Sequence, residues 1–231
     1  MSQNILTALN VQKKYGRQTV LRDISISIKE GEIYGLVGKN GSGKTTLFRI
    51  LTGQLQTFCG TVSVMGNRKM SAIINSPSLF LNMNACDNMK AQSHLLGLRN
   101  DDKILQVLES VGLSAQDKKQ AKNFSLGMTQ RLKLGLALLA DPDILILDEP
   151  ANGLDPDGIV ELRELLIGLN RTKGITILIS SHILSELEQI VTRLGILHNG
   201  TIVKELSDND VFQDGKNLEK LYMEYTKGGR Q

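Results

Sequence analysis

Apolar residues in the first thirty positions tend to fall on every second place. Ile24-Ser25-Ile26-Ser27-Ile28 alternates strictly, which predicts an antiparallel strand with one buried face. An upstream stretch carrying Ile5, Ala8 and Val11 reads as its neighbour, with Tyr15-Gly16 in a turn between them. Three later runs are apolar without alternation: Ile33 to Val37, Ile144 to Leu147 and Ile175 to Ile179. Continuous runs of this length predict strands buried on both faces. Gly60 to Gly66 reads as a strand bounded by glycines, and Ser71 to Asn75 as a short strand ending in the Ser76-Pro77 turn. From about 84 to 140 the period changes to three and four, with Met89, Ile104, Val107, Leu108 and Val111 among the repeats. That pattern predicts helices, read as an inserted subdomain over about 76–140. Further helices are expected from about Pro156 to Leu169 and over Leu184, Leu187, Ile190, Val191 and Leu194. Asn199-Gly200 predicts a hairpin turn, and the polar stretch from about Ser207 a short helix and a loose end.

Composition mostly excludes. The 231 residues are 41% hydrophobic and 22% charged, which suits a globular α/β domain with a real core. The net charge of +3 is too diffuse to imply nucleic acid. The absence of Trp and 4% aromatic content argue against a base-stacking platform. Cys59 and Cys86 lack metal-like spacing and read as reduced cytosolic thiols. No signal peptide is expected from the first residues. The longest apolar run, 132–140, falls well short of the roughly 20 residues of a bilayer span. Direct membrane insertion is therefore not expected, and any membrane link passes through a partner.

The chemistry centres on Gly38-Lys39-Asn40-Gly41-Ser42-Gly43-Lys44-Thr45-Thr46, which fits G-x-x-x-x-G-K-[ST] between a strand and a helix. In such a loop, backbone N–H groups of Asn40, Gly41, Ser42 and Gly43 form an anion nest at a helix N-terminus. Lys44 reaches the β- and γ-phosphates, and the Thr45 hydroxyl ligates Mg²⁺. A plain glycine turn is the competing reading, which the full spacing disfavours. Asp148-Glu149 ends the Ile144–Leu147 strand. Two acids there serve either a metal and a water or a pair of salt-bridged caps; beside a phosphate loop the first reading leads. His182 ends another strand at the same sheet edge, where it either caps the strand or contacts the γ-phosphate. Tyr15 either covers an apolar edge or stacks on a base. Ser125 or Gly127 lies at a helix start, for which a plain N-cap serine is the simpler reading.

Taken in order, these motifs resemble the ATPase subunit of an ABC (ATP-binding cassette) transporter over about residues 4–205. The resemblance implies a RecA-like P-loop core over about 1–75 and 141–206. It also implies an N-terminal antiparallel β-subdomain, a helical subdomain over about 76–140 and a C-terminal tail over about 207–231. It matches Gly38–Thr46 to the Walker A loop, Asp148 to the Walker B metal acid and Glu149 to the catalytic glutamate. Tyr15 matches the residue that stacks on adenine, and His182 the switch histidine. Ser125, Leu126, Gly127 and Met128 match the signature, and Asp155 the D-loop. The family's Leu-Ser-Gly-Gly-Gln here reads Phe124-Ser125-Leu126-Gly127-Met128, similar to the bacitracin-resistance and lantibiotic-immunity branch. Asn75 stands where the family has glutamine; it is one methylene shorter, so contact with Mg²⁺ directly or through a water is left open.

The implied cofactors are ATP and Mg²⁺. The implied partners are an integral membrane permease, contacted through about 76–98, and a second ATPase subunit in a head-to-tail dimer. No nucleic acid is implied. The implied location is peripheral, on the cytoplasmic face of the cell membrane, and the implied work is antimicrobial-peptide export or immunity. The alternative is a soluble ABC ATPase acting on ribosomes or DNA.

Overall fold

The computed structural model describes residues 3–74, 79–98, 100–207 and 218–227. In chain order the strands are β1 (Asn4–Tyr15), β2 (Gln18–Lys29), β3 (Ile33–Val37), β4 (Cys59–Val64) and β5 (Met70–Ile73), then β6 (Ile144–Asp148), β7 (Thr176–Ser181), β8 (Arg193–His198) and β9 (Thr201–Ser207). The helices are α1 (Lys44–Leu51), α2 (Ala85–Leu95), α3 (Asp101–Ser110), α4 (Leu126–Leu138), α5 (Pro156–Lys173), α6 (Leu184–Leu187) and α7 (Leu218–Lys227). A single 3₁₀ turn covers Ala121–Asn123.

Two sheets result. One is antiparallel, in the order β2-β1-β4. The other has six strands, in the order β5-β6-β7-β3-β8-β9; the first five run parallel and β9 returns antiparallel. The continuous apolar runs are explained by what lies on each face. Leu145, Leu147, Ile177 and Ile179 point into a core with Met89, Ile104, Leu108, Leu132, Leu138 and Leu166 from α2 to α5. Ile144, Ile146, Leu178 and Leu36 point the other way, to Leu47 and Phe48 of α1 and to the β1–β2 hairpin. Each fully buried Leu or Ile contributes about 1.5–3 kcal/mol, so a polar residue at either alternation would be costly.

β3 is the strand that delivers the chain to Gly38, and a buried polar clamp fixes it. Tyr34 is fully buried, and its hydroxyl donates to Glu205 Oε1 at 2.6 Å. The Arg193 guanidinium lies 4.9 Å from the centre of that ring and donates to Glu205 Oε1 and to the Ser27 carbonyl. Arg193 also faces Glu32, whose pKa is raised chiefly by burial, against the lowering effect of the Lys29 N–H and Arg193. A Cβ on Gly195 would stand 2.3 Å from the Tyr34 hydroxyl, so β8 carries no side chain there. β2, β3, β8 and β9 are thereby tied at one place.

Several expected elements differ. The apolar series from Leu184 to Leu194 is not one helix: α6 spans Leu184–Leu187, and Leu194 lies in β8. α5 runs on to Lys173, where Gly174 ends it in a left-handed conformation. Leu95, Leu96 and Leu105, which share the helical period, are exposed rather than core. Asn199 and Gly200 have φ of 48° and 79°, as a two-residue hairpin turn between twisted strands requires. Among the described residues, no helix is long and apolar enough to cross a membrane.

Candidate active site

The loop from Gly38 to Gly43 leaves β3 and enters α1 with no residue to spare. The Gly38 N–H donates to the Ser181 carbonyl at 3.2 Å, so the end of β7 anchors the loop's first residue. A Cβ at Gly38 would meet the Leu197 carbonyl at 2.5 Å and Ser42 Oγ at 2.6 Å. Gly43 has φ of 113°, and a Cβ there would meet the Leu21 side chain at 2.7 Å. Both positions accept glycine for reasons of space, and Gly43 for its backbone as well. Asn40 and Gly41 are exposed at the tip, whereas Ser42 is buried and its hydroxyl has no hydrogen-bond partner. Gly43 caps α1 without a side chain, and the first turn of α1 holds no acid. The N–H groups at this helix start, with Thr45 and Thr46 in its first turn, face the loop as a positive end that suits an anion.

Lys44 is 4% exposed, and its three ammonium hydrogens are all engaged. They reach the Gly38 carbonyl at 2.6 Å, the Lys39 carbonyl at 3.2 Å and Glu149 Oε1 at 3.0 Å. The other oxygen of Glu149 lies 3.0 Å from His182 Nδ1. A carboxylate accepts only, so Nδ1 carries the hydrogen and Nε2 is left for another group. Glu149 sits at φ 48°, in the left-handed region that non-glycine residues rarely occupy. Such strain costs about 1–3 kcal/mol and persists where neighbours hold it. Here the Glu149 N–H donates to Ser180 Oγ at 3.0 Å, and both carboxylate oxygens are bonded.

Asp148 is held just as firmly. Ser180 donates to its Oδ1 at 2.7 Å, and Thr45 to its Oδ2 at 2.6 Å. Thr45 and Asp148 thus present two hard oxygen donors side by side. Mg²⁺ takes one or two protein oxygens and completes its octahedron with water and phosphate, so this pair fits it. Among the described residues, no cluster of three or more His, Cys, Asp or Glu could cage a metal by itself.

Residues remote in sequence therefore converge: Gly38–Thr46, Asp148, Glu149 and His182 meet at the carboxyl ends of β3, β6 and β7, where open α/β sheets bind ligands. Tyr15 stands at the end of β1, paired with Gln18; two residues beyond Gln18, Val20 lines Gly43. Asn75 lies outside the described residues. Ser125, Leu126, Gly127, Met128 and Asp155 gather elsewhere, in a separate groove of about 610 Å³ that also holds Arg131 and Glu161. Ser125 is the N-cap of α4, its Oγ accepting from the Met128 N–H at 3.2 Å. Asp155 caps α5 through Gly158. Leu126 is half exposed and lies against Gly153.

Ser180 was not singled out in the sequence, although it holds both acids in place. Its signal was positional: it is the residue paired with Asp148 across the β6–β7 ladder, and strand pairing is not readable from one chain.

Comparison with known proteins agrees with this geometry. The ABC transporter family matches residues 21–152. The lantibiotic transport ATP-binding protein SrtF of Streptococcus pyogenes is 41% identical over 225 residues, 94% of this chain and 96% of its own. The bacitracin transport ATP-binding protein BcrA of Bacillus licheniformis is 39% identical over 231 residues, 96% of this chain and 74% of its own. The solved structure of an ATP-binding subunit of an ABC transporter aligns with a TM-score of 0.81 at 28% identity, over 96% of this chain and 99% of that one. With its phosphate loop, paired acids and strand-end histidine assembled at one sheet edge, the chain belongs to the ABC transporter family and is one of its ATP-hydrolysing cassettes.

Proposed function

We propose that this cassette powers a separate membrane permease that exports, or protects against, antimicrobial peptides of the lantibiotic or bacitracin kind. The Lys44–Glu149–His182 chain beside the Thr45–Asp148 pair supports the ATP-hydrolysing part of the reading, and the likeness to lantibiotic and bacitracin transport ATP-binding proteins supports the permease and its cargo. Lys44, on exchanging one of its three protein acceptors for a phosphate oxygen, and the α1 N-terminus would stabilise the negative charge of the triphosphate. Thr45 and Asp148 would hold Mg²⁺, which neutralises charge on the β- and γ-phosphate oxygens. Glu149, anchored at its backbone and through both oxygens, orients and polarises the attacking water. His182, fixed by that same carboxylate, presents Nε2 to the γ-phosphate. Tyr15 offers an exposed ring to adenine.

The groove with Ser125 and Asp155 shares no residue with the Gly38–Thr46 loop, which supports a head-to-tail pair of cassettes. In that arrangement each copy's Ser125–Met128 segment closes over the ATP of the other. The permease would dock on the segment around Phe80, Leu81 and Met83, all of them exposed. Asn88 of α2 shapes this segment: its side chain receives the Phe80 N–H at 2.9 Å and donates to the Phe80, Met83 and Asn84 carbonyls. The chain then works at the cytoplasmic face of the membrane through its partner.

Co-expression with a candidate multi-span permease, such as one encoded beside this gene if the neighbouring reading frames contain one, tests the reading. The pair should co-purify from detergent-solubilised membranes and raise resistance to a lantibiotic or bacitracin, and Lys44→Ala should abolish the resistance. Co-sedimentation with ribosomes or DNA, without membrane association, would overturn it.

A further inference from the structure

Lys13 is a charged residue in an apolar place. It is 7% exposed, on the inward side of β1 after Val11. Burying an ammonium is expensive unless its hydrogens and its charge are met. Among the described residues its partners are not carboxylates. The ammonium donates to the Thr57 carbonyl and to Thr57 Oγ1, the latter at 2.7 Å, and it lies 4.8 Å from the centre of the Tyr15 ring. Thr57 belongs to the segment that leaves the far end of α1, the helix that begins at the phosphate loop. Register shifts in the β1–β2 ladder fall on both sides of Lys13, the kind of irregularity that re-aims a side chain. Tyr15 as a whole remains 45% exposed.

We infer that Lys13 is a positioning residue for the nucleotide base: it holds the Tyr15 ring from one face, so that the other face stands ready for adenine, and it ties that ring through Thr57 to the helix that carries the phosphate loop. The inference rests on the reading of Tyr15 as the base-stacking residue. A cation on one face of an aromatic ring is attracted by the ring quadrupole and restricts its rotation. A ring already oriented loses less freedom when a base stacks on it.

Nucleotide binding by the purified full chain separates the possibilities. Lys13→Met should weaken ATP binding, and raise KM for ATP, by about three- to thirty-fold, with the change falling on KM rather than kcat. Binding of inorganic tripolyphosphate, which has no base, should be unchanged. Lys13→Arg should retain most of the affinity, and in a Tyr15→Ala background Lys13→Met should add no further loss. Thr57→Val, which removes a single acceptor at an exposed position, should give the same pattern at smaller size and serves if Lys13→Met does not fold. Equal weakening of ATP and tripolyphosphate, or additivity with Tyr15→Ala, would overturn the inference. A normal ATP affinity in Tyr15→Ala would instead remove the base-stacking reading. Loss in Tyr15→Ala without loss in Lys13→Met or Thr57→Val would leave that reading standing and sink the role of Lys13.

Discussion

At the scale of single residues, the site is built so that each polar group restrains another. Glu149 is the hub, since it meets Lys44 with one oxygen and His182 with the other. If Glu149 is the base proposed above, Glu149→Gln keeps the shape and a hydrogen-bonding head but loses the carboxylate that polarises water. ATP affinity should change by no more than a few-fold, while turnover falls by about 10²–10⁴-fold, the usual size of a general-base contribution; nucleotide binding and phosphate release measure the two separately. Tyr34 offers a pH test. Burial first, and the charge of Glu205 next, hold its phenol well above the ordinary value of 10.0. The folded-state pKa is therefore higher than the unfolded one. The associated stability is complete below pH about 10 and is lost as pH rises from there toward the folded value. Unfolding free energy of the parent should fall in this alkaline window. Tyr34→Phe should be less stable at neutral pH by about 0.5–1.5 kcal/mol, the net worth of the hydrogen bond to Glu205, which is exposed and keeps Arg193, yet show a shallower alkaline decline. Denaturant titrations at neutral and alkaline pH would show whether the two curves converge.

At the scale of elements, the readable parts were those where one residue pattern has one explanation. Ile144–Leu147 reads as a central strand because cores lie on both of its faces. Asn199-Gly200 reads as a hairpin because the turn demands φ values that few residue types accept. The series from Leu184 to Leu194 was misleading for a physical reason. Leu187, Val191 and Leu194 converge on the space left by Gly35, at 3.3, 2.7 and 2.9 Å from where its Cβ would be. They share a target and not a helix, so helical spacing arises from a one-turn helix, a turn and a strand start in succession. Strand order was unreadable too: β7 separates β6 from β3 although it comes later than both. Ser180 was missed because its significance lies across the β6–β7 ladder, and Lys13 because its partner Thr57 is remote in sequence, in the segment after α1. The same close packing sets a prediction for β8. Gly195→Ala would place a methyl group 2.3 Å from the Tyr34 hydroxyl. Overpacking of this kind costs about 1–3 kcal/mol. If the hydroxyl is what the methyl group strikes, Gly195→Ala should cost less in a Tyr34→Phe background. Urea unfolding of the two single variants and the double variant gives the coupling, and strict additivity would locate the strain elsewhere.

At the scale of the whole molecule, the division of the chemistry between two places makes a sharper demand than any single variant does. The phosphate loop with Glu149 lies at one sheet edge, and Ser125 with Asp155 lines a different groove. If catalysis needs a loop from one copy and a Ser125 segment from the other, damage in the two places should complement. A Lys44→Ala copy keeps a good Ser125 segment. A Ser125→Glu copy keeps a good loop but presents a negative charge to its partner's triphosphate, which electrostatics forbids. Each variant purified separately should be nearly inactive. When equal amounts are mixed and allowed to exchange, half of the dimers contain one copy of each, and every such dimer has one intact site of two. Roughly a quarter of the parent's sites are then restored, given the two-fold symmetry that cyclic dimers follow. ATPase activity should rise toward that level on mixing and fall on dilution, since it depends on assembly. A mixture no more active than its parts would mean that both motifs must be intact in the same chain, or that one intact site cannot turn over without the other. A mixed pair with Glu149→Gln in the Ser125→Glu copy decides between these. Trapping of one ATP per mixed dimer would show that the composite site forms, and no trapping would end the head-to-tail reading.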